Sequence, residues 1–147
     1  MTLKPCRVLV ILGLSGLLAA CASGPLETHA YKLYPGPVRP AAGLAIVRMG
    51  DAGRAEFDGR PASGRDWTEV HLLPGEHTIR WQSGFGVSVM IEPGGFATGS
   101  SEARVTLAAG HLYSLRADRT TGHGYQTFLW IRDDTTGENI AGEPKPE

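Results

Sequence analysis

The side chains that could do chemistry in this 147-residue sequence are five histidines, three tryptophans, two cysteines and a scatter of serines and carboxylates. A metal ion needs His, Cys, Asp or Glu gathered at one point. Local spacings such as His-x-His on a strand, His-Glu-x-x-His or Cys-x-x-Cys achieve that, and none is present. His71 and His77 flank Pro74-Gly75. With a two-residue loop there, position 72 pairs with 77 and 71 with 78, which sends the two rings to opposite faces. His77 then shares a face with Ile79 and Trp81, as a core or rim histidine with one hydrogen bond. His111 follows Gly110 in a turn, His123 sits between two glycines, and His29 lies in a Pro-rich stretch. No metal site and no cofactor are expected.

Nucleophilic catalysis has no better footing. No serine stands in Gly-x-Ser-x-Gly, and Gly99-Ser100-Ser101-Glu102 reads as a polar loop. Asp133 and Asp134 are adjacent, so on a strand they face opposite sides and make a poor acid–base pair; starting a turn suits them better. Gly84-Phe85-Gly86 and Gly94-Gly95 open no helix and read as bulges or turns, not phosphate cradles. The expectation is a chain with no catalytic residues. The candidate ligand contacts are Trp67, which follows a Gly-rich loop over 59–66, and Arg65 within that loop. Trp81 and Trp130 stand among apolar neighbours and are expected in the core. The arginines, Arg116 and Arg132 among them, are dispersed along the chain and read as solvated surface.

Cys21 has a different context. Lys4 and Arg7 give a short positive start, and an apolar run over 8–18 follows, too short for the roughly 20 residues that cross a bilayer core. Leu18-Ala19-Ala20-Cys21 closes it and resembles a bacterial lipobox. The plainer alternative is an ordinary secretory signal cleaved at Ala-x-Ala. The resemblance implies a lipoprotein precursor: signal peptide over 1–20, diacylglycerol on the Cys21 sulfur, and a fatty acid such as palmitate on the new amino group. Several acyl chains anchor durably where one is marginal. Ala22-Ser23, in place of the Asp that retains such proteins in the inner membrane, implies the outer membrane, facing the periplasm. Cys6 would leave with the leader. The remaining chain would carry twelve Lys and Arg against fifteen Asp and Glu, so its overall charge is not what holds it to a membrane.

These residues need elements to position them. Residues 21–43, with Pro25, Pro35, Pro37 and Pro40, read as a tether of extended backbone, or as a first segment packed along the domain through Tyr31, Leu33 and Tyr34. Over 44–134 the apolar positions fall into short runs broken by turn residues. Strands are expected over 44–49, 54–57, 67–73, 77–82, 85–91, 104–107, 112–117 and 125–132. Hairpins are expected at Pro74-Gly75 and at Ala109-Gly110-His111, and a turn at Asp58-Gly59. Consecutive Phe128 to Ile131 suit a strand covered on both sides. No helical stripe of three turns follows residue 44. The expected fold is all-β, an antiparallel β-sandwich or small barrel of seven to eight strands, with a flexible tail over 135–147.

Phe57-Asp58-Gly59 followed by 70–79, with its Pro74-Gly75-Glu76 turn, resembles a PEGA-like repeat. That resemblance implies a small β-sandwich module on bacterial envelope proteins, an adhesion or scaffold element without catalytic residues. The chain departs from the pattern in an insertion over 60–66 and in lacking a clear second copy. The near-neutral charge, −1 overall, argues against a nucleic-acid partner. The expected function is therefore a non-enzymatic, lipid-anchored structural or interaction module of the envelope, its partners being the membrane and an envelope protein or peptidoglycan. A glycan-binding module at Trp67 and a lipoprotein part of a secretion machine are the alternatives.

Overall fold

The computed structural model describes residues 28–83, 99–120 and 126–146. Cys21 and the leader, His123 and the strand expected over 85–91 lie outside these residues. Ten strands are present among the described residues: β1 Ala30–Lys32, β2 Ala45–Arg48, β3 Ala52–Phe57, β4 Arg60–Ser63, β5 Glu69–Leu72, β6 Gly75–Ser83, β7 Ser100–Leu107, β8 Leu112–Arg119, β9 Thr127–Asp133 and β10 Asn139–Gly142. They form a six-stranded sheet in the order β1-β5-β2-β8-β9-β10 and a four-stranded sheet in the order β4-β3-β6-β7. The fold is all-β and sandwich-like, not a closed barrel, and it has more strands than the turn spacing suggested.

Alternation along the strands builds the core. Val47, Val70, Leu115 and Ile131 from the larger sheet meet Phe57, Ile79, Trp81 and Leu107 from the smaller one, all essentially sealed from solvent. The β3–β4 hairpin is closed by Asp58 (φ 50°) and Gly59 (φ 79°), positive at both central positions as the twist of a two-residue hairpin demands. At other turns the chain changes sheets. β2 leads into β3 through Gly50, where a Cβ would collide with the Leu115 carbonyl oxygen, so only glycine fits this crossing.

Both expected hairpins are instead crossings between the sheets. Pro74-Gly75 joins β5 of the larger sheet to β6 of the smaller, so positions 72 and 77 do not pair; β5 lies between β1 and β2, and β6 between β3 and β7. Likewise 108–111 carries the chain from β7 back to β8 in the other sheet. Since the strands on either side of these crossings separate, β2 and β5 of the larger sheet find neighbours from distant sequence, and β1–β5 and β2–β8 pair in parallel, not antiparallel. The second crossing is tied by Tyr113, buried at the start of β8, whose hydroxyl accepts the Ala108 N–H at 2.8 Å.

Both ends of the domain add a strand to the larger sheet. β1 lies within the segment read as a tether or as a first segment packed along the domain, and Tyr31, Leu33 and the buried Tyr34 pack it along the domain, as the second of those readings had it. β10 lies within the expected tail and pairs with β9. The insertion over 60–66 is edge strand β4 with the turn that follows it, and Ser100-Ser101 starts β7, not a loop. Pro61 on β4 removes a backbone donor from that edge, which blunts pairing with another chain.

Candidate functional site

Two histidine–aspartate pairs stand at the crossings. His77 donates from Nδ1 to Asp58 Oδ2 (2.6 Å) and from Nε2 to the Leu73 carbonyl (2.8 Å), so it makes two bonds where one was expected. Asp58 also accepts the Thr78 N–H at 2.9 Å. The ring thus ties the β3–β4 turn to the Pro74-Gly75 crossing. Burial pushes the Asp58 carboxyl up, but the His77 and Thr78 hydrogen bonds and the His77 and Arg60 charges outweigh it and hold the group below the ordinary carboxylate value.

At the other crossing His111 donates from Nδ1 to Asp133 Oδ2 at 2.7 Å and stacks on Tyr113. Oδ1 of Asp133 accepts the N–H groups of Thr135 (2.9 Å) and Thr136 (3.2 Å), the turn-starting role expected of it. Burial raises this carboxyl too, and the His111 bond, the two N–H groups and the His111 charge together bring it below its ordinary value. Burial and the Asp133 charge raise the Tyr113 phenol, against the Ala108 N–H.

Asp134, on the opposite side of the strand end, accepts a hydrogen bond from the Ser114 hydroxyl. The Ser114–Asp134 and His111–Asp133 pairs therefore face away from each other and do not assemble a nucleophile, base and orienting carboxylate. Among the described residues no three His, Cys, Asp or Glu side chains gather as a metal site would require.

Trp67 and Arg65 occupy the turn after β4. Trp67 is half-buried against the core and stacks on Tyr31 of β1, with ring centroids 5.0 Å apart and planes 14° apart. One of its faces is therefore taken. Arg65 is exposed, its N–H donating to Ser63 Oγ at 3.3 Å. His29 pairs through its backbone with Thr68, and His71 with Glu69 at 2.7 Å. Trp81 is core as expected. Trp130 is not: Leu129 and Ile131 point inward, so Trp130 and Phe128 are half-buried on the outer face of the larger sheet. A run of four apolar residues concealed this alternation.

That outer face holds the arrangement that sequence reading missed. Arg48, Ser114 and Arg132 are cross-strand partners on β2, β8 and β9, and Arg116 lies two residues beyond Ser114 beside Trp130. Ser114 is only 2% exposed although its strand face looks outward. Asp134 Oδ1 lies 3.8 Å from Arg116 Nη2 and 3.9 Å from Arg132 Nε. Those separations are ion pairs but too long for hydrogen bonds, so the donor forks of both guanidiniums stay available. The Arg80 guanidinium on the smaller sheet's outer face is by contrast occupied, bonding Glu102 at 2.8 Å with Glu56 at 3.7 Å. A shallow open depression of 150 Å³ lies there, between Arg54, Glu56, Pro61, Arg80 and Gln82. Sequence spacing could not gather Arg48, Arg116 and Arg132, because β2 and β8 become neighbours only through the sheet crossings.

Compared with known proteins, the chain matches no family model, no curated protein and no solved structure.

Proposed function

We propose that the chain is a non-enzymatic, lipid-anchored protein of the bacterial envelope, with its β-sandwich acting as a structural or interaction module at the periplasmic face of the outer membrane. The observation that carries this reading is Leu18-Ala19-Ala20-Cys21 after a short apolar run, followed closely by a packed all-β body. β1 begins at Ala30, nine residues past Cys21, so a lipid on that sulfur confines the domain to within about 30 Å of the bilayer surface. Confinement raises the effective concentration toward membrane-bound partners, and weak contacts then suffice. The use of Asp58, Asp133, His77 and His111 as joints at the crossings supports a structural reading of these groups over a catalytic one.

Metabolic labelling with radioactive palmitate tests the anchor. The wild-type chain is expected to take up label and fractionate with outer membranes, and Cys21→Ala to abolish the label and release the chain from that fraction. Equal labelling of both would refute the anchor.

A further inference from the structure

We propose that the outer face of the six-stranded sheet docks on the phosphates of net-anionic headgroups in the same membrane that anchors the chain, through Arg48, Arg116 and Arg132 beside Trp130. This rests on the lipid-anchor reading and adds an orientation to it: the larger sheet lies toward the bilayer and the smaller sheet looks away.

Charge comes first. The exported chain carries more acid than base, yet three guanidiniums converge on one sheet face. Among the described residues the carboxylates sharing that face are Glu69, Asp118 and Asp134. Glu69 is hydrogen-bonded by His71, and Asp118 is paired with Lys145 at 3.9 Å. Asp134 remains, and its Oδ2 is taken by Ser114 while Oδ1 sits between two guanidiniums without hydrogen-bonding either. The carboxylate thus holds Arg116 and Arg132 side by side, 42% and 49% exposed, with their donors open to an incoming oxyanion. Arg48, exposed on the far side of Ser114, makes no ion pair or side-chain hydrogen bond among the described residues.

The remaining composition of the face selects the occupant. Phosphates presented by a lipid surface suit a flat array of forks, and the face is a sheet, not a cleft. Trp130 and Phe128 on the same face are amphipathic or apolar rings of the kind that settle at headgroup level.

Geometry then brings face and membrane together. One row of cross-strand partners runs Ala30, Glu69, Arg48, Ser114, Arg132, so the chain enters the sheet level with the arginines. Four strand spacings separate Ala30 from Arg132, about 19 Å. The nine residues back to Cys21 reach about 30 Å at most, which lets the face lie down on the surface that holds the lipid.

Outside the leader the only cysteine is Cys21, so a second thiol can be labelled uniquely once Cys21 is acylated. Mature lipidated protein carrying either Asn139→Cys, on the arginine row, or Arg104→Cys, on the outer face of the smaller sheet, is labelled with an environment-sensitive dye. It is then reconstituted into vesicles of phosphatidylcholine alone or with one-third phosphatidylglycerol. Emission at position 139 is expected to rise about twofold with phosphatidylglycerol and to lose the gain in high salt, while position 104 stays unchanged. Replacing the three arginines by Gln should abolish the rise, and replacing them by Lys should keep part of it, with circular dichroism confirming the fold of each. Chains that float with the vesicles but show equal emission at 139 in both lipids would overturn the docking and leave the anchor standing. Chains that fail to float would overturn both. A dye at 139 that responds to added poly-L-glutamate but not to lipid would give the face to an acidic protein and overturn the proposal.

Discussion

Asp58 and Asp133 show how a single carboxylate can serve as a joint. Asp58 accepts one backbone N–H from the strand it meets and Asp133 two from the turn it starts, each also accepts an imidazole from another element, and each is held below its ordinary value by those contacts. The sign of the pH effect follows. A carboxyl with a lower value in the folded state binds its proton more weakly there than in the unfolded chain. Its stabilisation is complete above about pH 4 and drains away as pH falls through the depressed folded values. Urea midpoints should therefore fall as pH drops below about 4, and Asp133→Asn, which loses the charge, should flatten that decline. A wild-type midpoint that does not move across this range would contradict the assignment. Asp133 as a turn starter was legible in the sequence. Its histidine was not, because positions 111 and 133 meet only when β8 and β9 align.

Strands and turns were legible wherever the signal was local. The Asp58-Gly59 turn forms as expected because its dihedral angles are set within four residues, and it closes a hairpin onto β4, a strand that was not expected. The Pro74-Gly75 and 108–111 turns were legible as turns, and their destination was not, since a tight turn can close a hairpin or send the chain to the facing sheet. In the second case the hydroxyl of Tyr113 ties the crossing. It reaches over the crossing to a backbone N–H that the sheet does not use. Tyr113→Phe keeps the buried ring but strands that donor, at a cost of about 1–2 kcal/mol in chemical denaturation. A change of a few tenths would mean that another group, or water, satisfies Ala108.

For the molecule as a whole, the order of the larger sheet sets a gradient of protection. β8 lies between β2 and β9, while β1, three residues long, is an edge. In native-state hydrogen exchange the amides of β8 should be the slowest of that sheet and those of β1 among the fastest. Exchange of β8 as fast as β1 would contradict the topology. The same order gathers the three arginines that lie scattered along the sequence, and it turns Trp130 outward. By itself the sequence determined the all-β class, the position of most strands, the Asp58-Gly59 turn and the expectation of a lipid at Cys21. Each of these is written in periodicity or in motifs a few residues long. Only the tertiary structure decided which sheet each strand joins, that β1 and β10 belong to the domain, and which side chains share a face. Pairing across dozens of residues depends on how two sheets bury their apolar sides together, and no local pattern encodes that.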